Sequence, residues 1–297
     1  TTVVDAAKIW IRQHDNTDDI NQINVVHPSK LLDIISRYGH SLPDSIKDDL
    51  TERGFDFSRE IVTTQRPQNL DSYIDQGLFR FHYTTTGDDA VSYVDGSANG
   101  IPDYIDSVLA IFSEISVIDF DQLDYTKPPS DGWYTGQDNG GSEHYDVYLF
   151  NLPAGYYGYV MGENYAQADD IIYRGDNENS LSLLETNAMT SFMALRNNYD
   201  DFPGNTFDVI EVTSAHEFFH AVQYGYDGWE FGWVKEATAV WMEELHYDEI
   251  NDCYQFLNTF LDNPSQSFNH DTNQGYGSYI FFSYLTEHYV SNQFVKD

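Results

Sequence analysis

The pentapeptide His216-Glu217-Phe218-Phe219-His220 constrains this chain more than any other stretch of its sequence. Four residues make about one turn of α-helix, so the two imidazoles of an HExxH project from one face and can grip a single metal ion. Glu217 then lies beside the open coordination position. The flanking sequence supports such a helix: Asn205 can cap it, Asp208 sits three residues on, and Gly225 supplies a stop. The His and Glu frequencies of the chain give roughly 0.02 chance occurrences of the pattern, which favours a metal-hydrolase centre over two packed histidines.

A catalytic zinc takes three protein ligands and keeps a fourth position for water. The chain has one cysteine, Cys253, which excludes an internal disulfide and Cys-based zinc sites, so any metal must use His and carboxylate. Downstream, Trp233–Glu244 (WVKEATAVWMEE) reads as a helix in which small and apolar residues follow Glu236. An acid facing a buried stripe needs a partner, and Zn²⁺ is a natural one, so His216, His220 and Glu236 form the expected ligand set; an ordinary acid on a solvated helix face is the other reading of Glu236. Asp227 and Glu230, in the intervening loop, are weaker candidates. Glu243, two turns on and on the same face, suits a role holding a ligand His. Tyr276, which opens a later helix, is the candidate donor to a tetrahedral oxyanion, with Tyr279 and His246 behind it. A packed aromatic is the competing reading of any one of 23 tyrosines. His14, His27, His40, His82, His144, His270 and His288 have no ligand spacing and are read as structural or surface residues, and Cys253 as a small buried apolar one.

Residues 78–86 (LFRFHYTTT), Asp146–Phe150 and Tyr156–Val160 are aromatic and β-branched and read as strands, with Ile171–Arg174 as a fourth. Helical spacing marks Ser29–Tyr38 after His27-Pro28 and a second stretch after Leu42-Pro43. It recurs past Glu178, where Leu181, Leu184, Ala188 and Phe192 follow at three- and four-residue steps. Helices near 233–247, 251–262 and 276–290 complete the chain. Strands first and helices last is the α+β order. Tyr156–Val160 could pair with an extended peptide substrate or serve as a core strand.

The formal charge of −35 repels phosphate backbones and anionic lipid, which argues against nucleic acid and membrane surfaces as partners. It suits either an acidic shell adapted to salt or calcium-binding loops. One such loop spans Asp95–Asp106: Asp95, Ser97, Asn99, Asp103 and Asp106 fall at ligand positions, Ile101 offers its carbonyl, and Gly100 allows the tight turn. That is the EF-hand ligand order, with a shorter Asp at its last position and an unusual Pro102; an Asx-rich turn is the alternative. Residues 1–66 carry net −3 and residues 67–297 net −32, so the break near Pro67 divides the chain into an N-terminal segment and a larger body. The segment reads either as a propeptide covering a cleft or as a structural subdomain. No run approaches the roughly 18 apolar residues of a membrane span.

Several blocks together resemble a little-characterised group of secreted bacterial metalloproteases of the gluzincin type. They are His216–Gln223 (HEFFHAVQ), Trp233–Glu244, residues 79–87 (FRFHYTTTG), Asn99–Tyr104 (NGIPDY), Asp146–Tyr159 (DVYLFNLPAGYYGY) and Tyr276–Tyr289 (YGSYIFFSYLTEHY). The similarity covers roughly residues 65–290. It implies a zincin-like catalytic domain over 67–297 with an N-terminal sheet, an HExxH helix and a helical C-terminal part, preceded by a small, mostly helical segment. It further implies His216, His220 and Glu236 as zinc ligands, Glu217 as general base, a polypeptide substrate and an extracellular location. One departure stands out: where the best-known gluzincins often carry an acid four residues after the ligand Glu, this chain has Val240.

Zinc-dependent peptide hydrolysis is therefore the leading expectation. A calcium-dependent adhesion module with a vestigial HExxH and a zinc hydrolase of a non-peptide bond are its rivals. Intact Glu217 argues against the first, and a peptide-library digest separates the second.

Overall fold

In three strands of the main sheet, successive side chains serve two different interiors. Val147 and Leu149 face one core while Tyr148 faces another, and the pairs Val160 with Met161 and Met193 with Phe192 divide the same way. A strand flanked on both sides has no solvent face, which is why both sets of alternating positions carry large apolar residues.

The computed structural model describes residues 2–15, 26–166, 187–268, 274–289 and 291–296. Helices α1 (Val3–Asp15), α2 (Pro28–Tyr38) and α3 (Asp44–Glu52) lead into a short ladder of β1 (Phe55–Asp56) and β2 (Thr63–Thr64). The main sheet comprises β3 (Ser72–Gln76), β4 (Phe79–Tyr83), β5 (Tyr145–Phe150), β6 (Gly158–Tyr165) and β7 (Met189–Arg196) in the order β3-β4-β5-β7-β6. Pairing is antiparallel for β3/β4 and β6/β7 and parallel for β4/β5 and β5/β7, so β6 is an antiparallel edge strand. Helix α4 (Asp103–Ser116) precedes β5, and α5 (Thr206–Asp227), α6 (Gly232–His246), α7 (Tyr254–Leu261), α8 (Gln274–Gly277), α9 (Tyr279–His288) and α10 (Gln293–Lys296) follow β7. The architecture is α+β. Helices α4, α5 and α6 fill the first core, around Phe79, Phe81, Phe112 and Phe218. Helices α1 to α3 fill the second through Trp10, Leu31, Leu32, Ile35 and Leu50, against Tyr148, Met161 and Phe192 of the sheet. Residues before and after the charge step at Pro67 thus share one packed interior. No helix among the described residues is long and apolar enough to cross a membrane.

The structure corrects the reading of the stretch after Glu178 where it can be compared: Phe192 lies on strand β7, not on a helix. Seven consecutive buried residues, Met189–Leu195, carry no strand alternation, so their spacing mimics a helix. Ile171–Arg174, Leu181, Leu184 and His270 lie outside the described residues. Strand β3 and helices α1 and α4 went unread.

Arg66, at the charge step itself, is the hub of a buried ion cluster. Its guanidinium reaches Asp146 and Asp131 at 2.5 Å and Glu163 at 2.6 and 2.9 Å, and His82 holds the other Asp146 oxygen at 2.6 Å. An irregularity in the β6/β7 ladder between Gly162 and Asn164 frees Glu163 from strand pairing. Acids outnumber bases here. Burial, opposed by Arg66 but reinforced by Asp146, pushes the Asp131 carboxyl up to about 7. A carboxyl with a raised folded-state pKa holds a proton that the unfolded chain has already lost. Its stabilisation is therefore complete below about pH 4 and fades as pH rises through about 7. Asp131→Asn removes this dependence. Between pH 5 and 8 the melting temperature of the wild type should fall more steeply than that of the variant, and parallel curves would refute the assignment.

Candidate metal centre

Helix α5 starts where the sequence places it: Asn205 accepts a hydrogen bond from the Phe207 N–H at 3.1 Å, and the helix runs on to Asp227. Its length carries His216, Glu217 and His220 into the first core beneath strand β6. Gly158 on that strand makes the approach possible. A Cβ there would sit 2.9 Å from Glu217 Cγ and 3.0 Å from the Ala194 carbonyl.

His216 and His220 meet with their Nε2 atoms 3.2 Å apart. The other ring nitrogens fix the tautomers. His220 Nδ1 donates to Gln223 Oε1 at 2.8 Å; the orientation of that amide is set because Gln223 Nε2 donates to the Lys235 carbonyl and to Thr238 Oγ1. Thr238 Oγ1 in turn donates to the Val234 carbonyl. His216 Nδ1 donates to Glu243 Oε1 at 2.5 Å. In neutral rings, two lone pairs then face each other, an arrangement that repels unless a proton or a metal cation lies between them.

Glu236 completes the set from α6. Its Oε2 lies 3.4 Å from His216 Nε2 and 3.8 Å from His220 Nε2, buried and without a hydrogen-bond partner. Burial would raise its pKa, but His27, His216 and His220 outweigh burial and hold the carboxyl far below its ordinary range. The same negative charge draws protons when no other cation is bound: burial lowers His216, yet Glu236 and Glu243 prevail and push it well above its ordinary value. Two imidazole nitrogens and an anionic oxygen converging in a buried site fit a zinc ion, whose binding would displace the proton.

A fourth side chain joins them. One ligand atom each from His27, His216, His220 and Glu236 all lie within 4.8 Å of one another. The reading of His27 as a structural or surface residue is corrected here. It stands 189 residues from His216, with no local spacing to mark it, and its position depends on α2 packing beside α5. Gln223 was also missed; its place three residues after His220 was the available signal.

Glu217 is buried among the ligands but outside the group of four. Its Oε2 accepts from Ser29 Oγ at 3.2 Å, and its Oε1 lies 3.0 Å from His27 Nε2. Tyr276, on α8, has its ring 6.4 Å from that of His216 and its hydroxyl buried. Burial, reinforced by Glu236, pushes its pKa well up, so it keeps its proton as a donor. His27, His216, Glu217 and Tyr276 border an open cleft of about 1100 Å³ whose wall also includes Tyr157 and Phe256.

Other candidates fall elsewhere. His246 bonds Asp119 at 2.8 Å, Cys253 donates to Glu244, and Asp227 and Glu230 accept from the Trp229 and Phe231 backbone in their own loop. Tyr279 is buried in the first core. In the expected calcium loop, the carboxylates are engaged by the turn itself. Asp95 accepts from the Asn99 and Gly100 N–H groups, Asp103 from that of Gly96, and Asn99 turns its amide nitrogen, not its oxygen, toward Asp106. Asp95, Asp103 and Asp106 do not converge as the four ligand residues do. Comparison of the chain with protein-family models, with curated proteins and with solved structures finds no match.

Proposed function

We propose that the chain is a zinc-dependent metallopeptidase of the gluzincin type, with a zincin-like catalytic body. The observation that carries this reading is the pair of opposed His216 and His220 Nε2 atoms with the unpartnered Glu236 oxygen beside them. His216, His220 and Glu236 would hold the ion. When bound, zinc polarises a scissile carbonyl and lowers the pKa of water to about 7.

The chain's own residues supply the rest. Glu217 accepts a proton from the attacking water and returns it to the departing amine, the part a buried carboxylate outside the ligand set is free to play. Tyr276 donates its hydroxyl to the developing oxyanion. Glu243 and Gln223 keep the two imidazoles in the tautomer that presents Nε2. Strand β6, at the edge of the sheet, offers backbone groups to an extended peptide. Secretion follows from the family resemblance.

Metal analysis of chelator-free protein should give one zinc per chain, and His216→Ala should lower zinc affinity by more than about 100-fold, beyond the loss typical of an outer-shell residue. Full occupancy in that variant would sink the site. A peptide-library digest then separates peptide cleavage from hydrolysis of another bond.

A further inference from the structure

The N-terminal segment enters the site at three points. His27 contributes the fourth ligand atom of the group and approaches Glu217 at 3.0 Å. Ser29, two residues on, donates to the other Glu217 oxygen at 3.2 Å. The same Ser29 hydroxyl accepts the backbone N–H of Val160 on edge strand β6 at 3.1 Å. These are the places a peptide substrate and its attacking water need: the open coordination position, the general base and the edge of the sheet.

The placement is built into the fold. Pro28 opens α2, which leaves His27 with non-helical backbone angles (φ −52°, ψ 129°) just before the first helical turn. Farther along α2, Asp33 pairs with buried Lys235, the residue before Glu236, and accepts from Tyr224 of α5. Arg37 donates to the Trp229 carbonyl at 3.1 Å, with its guanidinium 5.4 Å from that ring. Leu31, Leu32 and Ile35 lock the helix into the second core. Helix α2 is thus held on the catalytic helices at one face and beneath the sheet at another, and His27 reaches the ligand group from the residue that precedes this anchored helix.

We propose that His27 holds this site latent: it fills the coordination position that a catalytic zinc keeps for water, and Ser29 shields the general base and the adjoining strand edge. This rests on the zinc reading above. Four protein ligands make a closed, structural type of site, whereas three leave it open to chemistry, so turnover requires His27 to withdraw. The device is a histidine ligand supplied in cis from 189 residues upstream of the HExxH.

The test uses the intact chain, because removing residues 1–66 would strip Lys235 of Asp33 and uncover Tyr148, Met161 and Phe192. Wild type, His27→Ala and His27→Gln are loaded with Co²⁺ in place of zinc, and the paramagnetically shifted imidazole N–H protons are counted by NMR. Peptide hydrolysis by the zinc forms is measured in parallel. Three histidine signals are expected in wild type and two in both variants, with at least about 10-fold faster hydrolysis in the variants. That factor corresponds to about 1.4 kcal/mol. Two signals in a cobalt-loaded wild type, or hydrolysis no faster in either variant, would overturn the latency proposal and leave the zinc reading standing. A folded wild type that takes up neither cobalt nor zinc would overturn both.

Discussion

Glu217→Gln should retain zinc and fold while losing peptide hydrolysis by about 10²- to 10⁴-fold, the span that general acid–base catalysis supplies. Glu217 lies outside the ligand group, so its replacement leaves three ligands from α5 and α6 in place. Gln keeps the side-chain length, which matters because Gly158 gives way to Glu217 Cγ with little room to spare. Its carbonyl oxygen can still accept from Ser29. What is lost is a carboxylate able to take a proton and give it back. The comparison belongs in both the wild-type and the His27→Ala backgrounds, since a blocked site would hide the loss. Hydrolysis within about 10-fold of the matched parent would remove Glu217 as the base.

The second large effect concerns stability. Arg66→Met should destabilise the protein by about 3–5 kcal/mol at neutral pH, the usual consequence of stripping one partner from a buried ion network. Met preserves much of the volume, so the loss would be electrostatic. Asp131, Asp146 and Glu163 would be left facing one another without their shared guanidinium, with His82 still bonded to Asp146. The deficit should shrink toward pH 5, because carboxyls freed from Arg66 can take up protons and relieve the repulsion. Urea unfolding at pH 5 and pH 7.5 measures both. A change below about 1 kcal/mol at pH 7.5 would class the cluster with surface ion pairs.

Features written into contiguous residues were legible. The HExxH spacing, the Asn205 cap and the apolar company of Glu236 each depend on a single helix, and the structure bears out all three features. Glu243 was found for the same reason: seven residues from Glu236, it shares the face turned toward α5. Strand β7 was misread because a strand buried on both sides loses the alternation that distinguishes it from a helix. His27 and Arg66 escaped for a different reason. Both act through partners dozens to hundreds of residues away, and a count of charges in residues 1–66 treats Arg66 as surface when its guanidinium is among the most enclosed ions of the protein. The net charge step described a composition; the packing of α2 determined which atoms meet.

The long reach of α2 also orders events during synthesis. Ser29 and Glu217 are separated by 188 residues, Asp33 and Tyr224 by 191, and Arg37 and Trp229 by 192. At typical elongation speeds of about 5–20 residues per second, the first helices leave the ribosome roughly 10–40 s before their partners on α5 and α6. During that interval Leu31, Leu32 and Ile35 have no sheet to bury them and are open to chaperones. Once α5 emerges, the helix that meets it is already present on the same nascent chain. The HExxH is thus never made without His27 upstream of it, and the site can close as it forms.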